Sequence, residues 1–322
     1  MTILVTGAAG FIGAHLVKAL LARGEHVVGI DNLNDYYPVT LKHARLDTLI
    51  GNHPAFNFVA GDLADQAALD AAVAGRSVSR IVHLGAQAGV RYSIENPRAY
   101  AHSNLVGQLE ILELARTLKV RHLVYASSSS VYGSNAKLPF AVGDTVDHPV
   151  SLYAATKRAD ELMSDAYAHL FTIPQTGLRF FTVYGPWGRP DMAPWLFTEA
   201  ILRGQPIRLF NGGRMKRDFT YIDDIVAGVL AALDRPPAGT RPHFIYNLGN
   251  DRAEELTHFV QIIEAATGRR AIVEEALLPP GDVIATHADI DRTRHNLEWS
   301  PTTTLDDGLP RFVDWFRGYL GL

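Results

Sequence analysis

The chain of 322 residues contains no cysteine, an absence that excludes disulfide bonds, thiolate nucleophiles and thiolate-bound metals. It also lacks a basic excess, because 30 lysines and arginines stand against 34 acidic residues and give a formal charge of −4. Proteins that coat nucleic acid or an anionic membrane need a basic surface, so we expect neither partner. The longest apolar run, 11–22, contains His15 and Lys18 and is too short to span a bilayer. No basic leader precedes the apolar run 3–5, so we expect no signal peptide and a cytoplasmic protein.

The sequence also has little that indicates nucleophilic or metal chemistry. It has no G-x-S-x-G motif, so a serine nucleophile at a strand-to-helix elbow is not indicated. Its 13 histidines form neither H-E-x-x-H nor a close ligand pair, so we expect no metal site. What remains is an ordinary globular composition, 47% hydrophobic and 20% charged. The length is typical of about two domains.

Short β-rich runs alternate with helical patterns over residues 1–182. Several of these runs are continuously apolar, as strands are when helices cover both faces of a parallel sheet. The predicted strands are 3–5, 26–30, 56–60, 80–84, 122–126 and 176–179, and the predicted helices are 12–23, 40–50, 66–74, 98–118 and 152–171.

The pattern changes near residue 183, where glycines and prolines interrupt regular structure. We expect a smaller α/β domain formed by 183–221 and about 251–322, while about 222–250 returns to the large domain. Such a domain would close over the carboxyl edge of the sheet, where open parallel sheets bind ligands. Its predicted elements are helices at 193–203, 253–266 and 304–320 and a strand at 206–210, with a further helix at 222–234.

A glycine-rich turn, Gly7-Ala8-Ala9-Gly10-Phe11-Ile12-Gly13, joins the first predicted strand to the first helix. Its G-x-x-G-x-x-G spacing allows a tight turn and brings backbone N–H groups to a pyrophosphate at a helix N-terminus. Asp31 ends the second strand, 18 residues after Gly13, where a carboxylate accepts hydrogen bonds from adenosine ribose hydroxyls. No basic residue follows before Lys42, which favours NAD over NADP. The pattern predicts a Rossmann-type, doubly wound parallel sheet with a smaller α/β substrate-binding domain.

Residues at other strand ends are expected to line the same cleft. Asp62 and Leu63 follow the third strand, and Leu84, Ala86 and Gln87 follow the fourth. Because the carboxyl ends of parallel strands meet at one edge, these residues are placed near the adenine and the nicotinamide. The expected cofactor contacts in these segments are Gly7, Gly10, Phe11, Ile12, Gly13, Asp31, Asn32, Asp62, Leu63, Leu84, Ala86 and Gln87.

Tyr153 and Lys157 are four residues apart at the start of a predicted helix, a spacing that places both on one face. A tyrosine, with an ordinary pKa of about 10, must be activated by roughly 4 kcal/mol to act as a base at neutral pH. A lysine ammonium and the positive nicotinamide both favour the phenolate, so both residues are expected to contact the cofactor. Four serines, 127–130, end the fifth strand, and a hydroxyl there can hydrogen-bond the substrate oxygen that the tyrosine deprotonates.

The sequence resembles an extended short-chain dehydrogenase/reductase and, within that superfamily, a nucleotide-sugar epimerase. The likeness runs over nearly the whole chain. The stretches that carry it are 6–13, 31–32, 125–133, 153–157 and 217–224. Three stretches resemble the UDP-glucuronate 4-epimerase branch, and they are 31–37, 87–93 and 179–192.

The resemblance implies a redox round trip at C4 of a UDP-sugar. Ser128 takes the serine/threonine position of the catalytic triad, with Tyr153 as the base and Lys157 as its partner. UDP-glucuronate becomes UDP-galacturonate through a transient 4-keto intermediate, and NAD is regenerated, tightly bound and not consumed. The resemblance adds further expected cofactor contacts, namely Asn104, Ser127 and Phe180.

A glucuronate substrate brings a hazard, because its 4-keto intermediate is a β-keto acid. It loses CO₂ when the C5–carboxylate bond stands perpendicular to the ketone plane. Arg189 and Thr182 are the candidates for restraining the carboxylate, since a guanidinium grips a carboxylate directionally. The resemblance assigns Arg217 to the UDP pyrophosphate, 206–210 to the uracil and Asp282 to the ribose or phosphate side. The expected substrate contacts are Arg91, Ser128, Ser129, Tyr153, Thr182, Arg189, Arg217 and Asp282. The chain differs from hexose epimerases at Pro279, where those enzymes carry an arginine.

The resemblance also implies a homodimer. Helices 98–118 and 152–171 carry apolar residues on more than one face, among them Leu105, Leu109, Leu112, Leu162, Ala166 and Leu170. One stripe should pack on the sheet, and a second could form a four-helix seam between two copies. A single buried stripe on a monomer is the alternative.

Other activities compete with this interpretation. A neutral UDP-sugar 4-epimerase, acting on UDP-glucose or UDP-N-acetylglucosamine, would not require Arg189. A decarboxylating UDP-glucuronate enzyme shares the first oxidation. A 4,6-dehydratase needs an acid pair where this chain has Ser129 and Ser130, so it is set aside. An NAD-sensing interaction protein would not need the intact set of Ser128, Tyr153 and Lys157.

Overall fold

The computed structural model describes residues 1–277 and 283–321. Its centre is a seven-stranded sheet in which every neighbouring pair of strands is parallel. The strands are β1 (Thr2–Thr6), β2 (His26–Asp31), β3 (Phe56–Ala60), β4 (Val78–His83), β5 (His122–Ser128), β6 (Gln175–Phe180) and, after the short strands below, β11 (His243–Leu248). Their order, β11-β6-β5-β4-β1-β2-β3, is that of a dinucleotide-binding sheet, so the predicted Rossmann-type fold is confirmed.

Helices cover both faces of this sheet, which explains why its strands are apolar throughout. Alternate residues of β1 belong to opposite cores, since Ile3 lies in the core that contains Leu16 and Leu4 lies in the core that contains Leu69. The helices are α1 (Phe11–Ala22), α2 (Val39–Arg45), α3 (Gln66–Val73), α4 (Tyr92–Glu95), α5 (Pro97–Tyr100), α6 (Gly107–Leu118), α7 (Leu152–Phe171), α8 (Ala193–Arg203), α9 (Ile222–Leu233), α10 (Leu256–Thr267), α11 (Asp291–Leu297) and α12 (Leu305–Leu320).

The smaller part of the molecule pairs short strands two by two beside three packed helices, α8, α10 and α12. An aromatic cluster that includes Trp195, Trp315 and Phe316 fills the space between α8 and α12. The short strands are β7 (Thr182–Tyr184), β8 (Pro206–Phe210), β9 (Lys216–Arg217), β10 (Phe219–Tyr221), β12 (Glu254–Glu255) and β13 (Ile272–Ala276). Between these elements the chain returns to the large sheet, because α9 packs on α1 and β11 pairs with β6.

Some elements differ from the expected pattern. The helix expected at 98–118 is interrupted, since α5 ends at Tyr100 and a π-helical turn, Ala101–Val106, precedes α6. The helix expected at 40–50 likewise ends in a π-helical turn, Leu46–Ile50. Hydrophobic spacing does not distinguish such a turn from a regular helix, because the turn covers only 5 or 6 residues and differs from the α-helical repeat by about one residue.

In the described part of the chain, no helix combines the length and the apolar character that a membrane crossing requires.

Candidate active site

A cavity of about 470 Å³ lies over the carboxyl edge of the large sheet. The strands of the large sheet all run in one direction, so the loops that follow β1, β2, β4, β5 and β6 lie together at this edge. Arg217, Val283 and Thr286 of the smaller part form the facing wall. The cavity therefore lies where the two parts of the fold meet.

The glycine turn after β1 forms one end of this cavity, and side chains would not fit in it. Gly7 has a φ of +67°, and a Cβ there would lie 2.8 Å from the Gly85 nitrogen. A Cβ at Gly13 would lie 2.0 Å from the Gly7 carbonyl oxygen. Gly10, which has no side chain to cap the helix, precedes α1, so the first N–H groups of α1 are left for a ligand. This cradle fits a pyrophosphate.

Asp31, the last residue of β2, holds its carboxylate at the cavity wall. Its Oδ2 accepts a hydrogen bond from the Ala9 backbone N–H at 3.1 Å, and its Oδ1 accepts one from Leu33 N–H at 2.9 Å. Each oxygen retains a lone pair that can accept a ribose hydroxyl. Lys42, the first basic residue after β2, donates to the carbonyl and side-chain oxygens of Asn34 at 2.7 and 2.9 Å. The site therefore presents the Asp31 carboxylate where NADP would carry its extra phosphate.

The remaining expected cofactor contacts, apart from Asn104, also lie on the cavity wall. Asn32 donates from Nδ2 to Asp62 Oδ2 at 2.9 Å, which joins the ends of β2 and β3. The others at the wall are Phe11, Ile12, Leu63, Leu84, Ala86, Gln87, Ser127 and Phe180. A glycine cradle, a free helix N-terminus and a strand-end carboxylate in one cleft fit NAD.

Tyr153 and Lys157 both line the cavity from the first turns of α7. The Ser151 hydroxyl caps that helix by accepting the Ala154 N–H at 3.1 Å. Lys157 Nζ donates to the Ala126 carbonyl of β5 and to Asp160 Oδ2, each at 3.0 Å. The buried ammonium thus has a fixed position beside the end of β5 and retains one of its three donors.

The four serines, 127–130, span the end of β5 and the start of a 3₁₀-helical turn, Ser129–Tyr132. All four line the cavity. Ser127 donates to Glu161 Oε1 at 2.7 Å and ties β5 to α7. The Ser128 hydroxyl oxygen accepts the Ser130 N–H at 3.1 Å. Ser128 Oγ therefore has a fixed place at the strand end.

Arg189 lines the same cavity and is paired with a neighbouring carboxylate. Its Nε donates to Asp191 Oδ1 at 2.9 Å and its Nη2 donates to Asp191 Oδ2. The Tyr36 hydroxyl donates to Asp191 Oδ2 at 3.0 Å. Burial raises the pKa of Tyr36 to about 12, helped by the Asp191 charge, so Tyr36 stays a neutral donor. Asp191 and Tyr36 thereby hold one edge of the guanidinium and leave its end free for a ligand.

Sequence reasoning did not single out Tyr36 or Asp191, although both fall in the stretches that carry the resemblance. They are 155 positions apart and meet only in the folded chain. Thr182, the first residue of β7, lies at the cavity wall with its backbone N–H bonded to the Asp218 carbonyl at 3.1 Å. The candidate carboxylate-binding residues Arg189 and Thr182 are thus brought to one cavity with Tyr153.

Among the expected contacts that the structure describes, two do not line the cavity, Arg91 and Asn104. Arg91 is exposed and its guanidinium lies 5.1 Å from the centre of the Phe210 ring. Asn104 is buried behind the wall, where its Oδ1 accepts the Gln87 N–H at 2.8 Å. Its Nδ2 donates to the Gln87 carbonyl at 3.1 Å and to Thr156 Oγ1 at 2.9 Å. Asn104 therefore holds the loop after β4 against α7.

Arg217 does reach the cavity, at the edge of the smaller part. Its guanidinium donates to the carbonyls of Val283 at 2.6 Å and Ile284 at 3.1 Å. Asp282 and Pro279 lie outside the described residues. Within 1–277 and 283–321, no group of three or more histidine or acidic side chains is placed to hold a metal ion.

The sequence is similar to epimerases, both by a family model and by individual relatives. The sequence matches the NAD dependent epimerase/dehydratase family over residues 3–249. It is 45% identical over 331 residues to the probable UDP-glucuronate 4-epimerase of Rhizobium meliloti, across 98% of this chain and 97% of that protein. It is 46% identical to UDP-glucuronate 4-epimerase 4 of Arabidopsis thaliana, across 99% of this chain and 76% of that protein.

The structure is similar to a UDP-glucuronic acid 4-epimerase from Bacillus cereus that was crystallised with UDP-glucuronic acid and NAD. The TM-score is 0.91 at 34% identity, and the match covers 99% of this chain and 100% of that chain.

Proposed function

This chain belongs to the NAD dependent epimerase/dehydratase family, and from that premise we propose that it is an isomerase that converts UDP-glucuronate to UDP-galacturonate. It inverts C4 through a transient 4-keto intermediate. One observation carries the substrate assignment: a buttressed guanidinium, that of Arg189, lines the same cavity as Tyr153. A carboxylated sugar needs such a group, and a neutral sugar does not.

The cofactor is NAD, which when bound accepts a hydride from C4 and returns it to the opposite face of the sugar. The turn that contains Gly7 and Gly13 would hold the pyrophosphate, and the Asp31 carboxylate would accept hydrogen bonds from the adenosine ribose hydroxyls. Because both redox steps take place on one bound sugar, the cofactor stays in place and is not consumed.

We assign proton transfer to Tyr153, which takes the C4 hydroxyl proton in the forward step and returns it in the second. Ser128 hydrogen-bonds the same oxygen, so it supports the alkoxide that develops. Lys157 lines the same cavity as Tyr153, and its positive charge would favour the phenolate. The three side chains converge on the cavity from the end of β5 and the start of α7.

We assign restraint of the sugar carboxylate to Arg189, with Thr182 and Ser129 as further donors. The 4-keto intermediate keeps its carboxylate only if the C5–carboxylate bond stays close to the ketone plane. Asp191 fixes the plane of the guanidinium, so Arg189 grips the carboxylate from one direction. By holding the carboxylate near the ketone plane, Arg189 would prevent loss of CO₂ and allow epimerisation to be completed.

We assign the nucleotide end of the substrate to the smaller part of the molecule. Arg217 reaches the cavity and would contact the pyrophosphate, and strand β8 would contact the uracil. Asp282 is proposed as a contact of the ribose or phosphate side, and Arg91 as a further candidate contact of the sugar carboxylate. In this proposal, residues 1–182 and about 222–250 form the domain that binds NAD. Residues 183–221 and about 251–322 form the domain that binds the UDP-sugar.

We also propose a homodimer in which α6 and α7 of two copies form a four-helix seam. Leu109, Leu162 and Leu170 are exposed on these helices, whereas Leu112 is buried against the sheet. Exposed leucines on two adjacent helices are typical of a protein interface. Sedimentation of wild type and Leu162→Glu checks the proposal, since a dimer seam predicts that the variant becomes monomeric.

A cytoplasmic location is compatible with the absence of any cysteine that would need an oxidising compartment. The product is an activated acidic sugar, so we propose that glycosyl transfer in polysaccharide biosynthesis consumes it.

The test is to incubate the purified protein with UDP-glucuronate, without added NAD, and to follow the nucleotide sugars by NMR. Formation of UDP-galacturonate without net cofactor reduction supports the proposal. UDP-pentose with CO₂ would identify a decarboxylating enzyme instead. Turnover of UDP-glucose or UDP-N-acetylglucosamine alone would identify a neutral-sugar epimerase.

A further inference from the structure

A buried carboxylate that the reaction does not use touches the catalytic lysine. Asp160 lies one helical turn after Lys157 on α7, and its Oδ2 accepts a hydrogen bond from Lys157 Nζ at 3.0 Å. The side chains are 3% and 1% exposed, so solvent does not screen this pair. The ammonium that lines the cavity together with Tyr153 therefore has a buried negative partner.

This carboxylate has few other partners. Its Oδ1 is buried and has no hydrogen-bond partner among the described residues. The next residue, Glu161, is different, because Arg179 donates to both of its oxygens at 2.8 and 2.9 Å and Arg158 donates to Oε2 at 3.1 Å. Glu161 is thus a satisfied structural group, whereas the charge of Asp160 is balanced by Lys157.

Two other titratable side chains that interact with this pair, those of His83 and Tyr125, are neutral. His83, bonded to Thr6 Oγ1 at 2.7 Å, is neutral, because burial and the Lys157 charge lower its pKa to about 3. Burial raises the pKa of Tyr125 well above its ordinary value, so it is neutral as well. Burial also raises the pKa of Asp160 itself to about 6, against the opposing pull of Lys157.

We propose that Asp160 is a positioning residue that holds the Lys157 ammonium and weakens the positive charge it presents to Tyr153. Tyr153 lies one helical turn before Lys157 on the same helix, so an unscreened negative charge next to the ammonium reduces the attraction of Lys157 for a Tyr153 phenolate. Asp160 thereby sets the lower end of the pH range in which Tyr153 acts as a base. The inference rests on the proposed role of Tyr153.

The test compares Asp160→Asn with Asp165→Asn in the full-length holoenzyme. Asparagine keeps a carbonyl oxygen for Lys157 Nζ and removes only the charge. Asp165 is the matched control, because it lies on the same helix but pairs with Arg241 and is partly exposed. Two quantities are measured against pH: kcat/KM for the epimerisation, and the phenolate absorbance of the NAD-bound protein without sugar, with Tyr153→Phe variants as the baseline.

In D160N we expect the acid limb of kcat/KM and the phenolate titration to move to lower pH by about 0.5 unit or more. The difference from wild type should narrow below about pH 6, where wild-type Asp160 takes up a proton. D165N should leave both curves in place. An unmoved or upward-shifted titration in D160N, or an equal shift in D165N, overturns the proposal. Failure of the wild type to epimerise UDP-glucuronate would instead refute the proposed function, and the phenolate titration would still decide the role of Asp160.

Discussion

The cofactor side and the sugar side of the cavity are built in different ways. On the cofactor side, the surface is made of glycines and backbone N–H groups, and a Cβ at Gly13 would collide with the Gly7 carbonyl at 2.0 Å. On the sugar side, Tyr36 reaches Asp191 across 155 positions to hold Arg189. A short stretch of sequence encodes the first surface, whereas only the complete fold assembles the second.

The largest effect is expected where the two sides meet, at Tyr153. Tyr153→Phe should lower kcat by about 10²–10⁴-fold, because it removes the group that transfers the proton, while NAD stays bound. Tyr167→Phe is the matched control, since Tyr167 lies on the same helix as Tyr153 but donates its hydroxyl to Glu113 of α6. The measurements are kcat and the NAD content of the purified protein. Unchanged turnover in Tyr153→Phe would contradict the mechanism.

The cofactor side should tolerate no added side chain. In Gly13→Ala the new methyl group meets the Gly7 carbonyl, so we expect depleted bound NAD and a free energy of unfolding lowered by about 1–3 kcal/mol. Gly143→Ala is the control, because nothing lies within 4 Å of a Cβ at that position. Urea unfolding and the NAD released on denaturation measure the two effects. Equal behaviour of the two variants would show that the cradle is not tightly packed.

The free energy of unfolding should depend on pH through the buried carboxylate of Asp160. Burial raises the folded pKa of Asp160 to about 6 from 3.8, so the folded state binds this proton more tightly than the unfolded state does. The wild type therefore loses stability from this group as pH rises from about 4 to about 6. Asp160→Asn lacks that loss, and its stability relative to wild type should increase over this window by on the order of 1–3 kcal/mol. Urea unfolding at several pH values checks this, and parallel curves would contradict it.

The sugar side should respond selectively. Asp191→Ala frees the guanidinium of Arg189, so we expect KM for UDP-glucuronate to rise about 10-fold, the value of one charged hydrogen bond. UDP-pentose should appear among the products, while inhibition by UDP stays unchanged. Tyr36→Phe should act in the same direction and more weakly. A parallel loss of UDP inhibition would mean that the variant disturbs the whole cavity.

These differences also explain what could be predicted from the sequence. The alternation of strands and helices gave the large sheet, and local spacing identified the glycine turn, Asp31 and the pair of Tyr153 and Lys157. The structure brings those residues to one cavity. Each of these signals lies within a few residues of one strand end or one helix start.

Other features carried no such local signal. Strands β11 and β13 mix polar with apolar residues, so neither a regular alternation nor an apolar run over the whole strand marks them. Asp160 has the spacing of an ordinary helical ion pair with Lys157, and only its burial distinguishes it from a surface pair. The place of Asn104 behind the cavity wall likewise depends on how the loop after β4 packs on α7.

In the proposed mechanism a hydride leaves C4 of the sugar and returns to the same carbon without exchanging with solvent. UDP-glucuronate that carries deuterium at C4, incubated with the holoenzyme in ordinary water and followed by NMR, reports the path of this hydride. We expect UDP-galacturonate that retains its deuterium at C4. Product that has lost the label, or that has exchanged hydrogen at C5 instead, would contradict this mechanism.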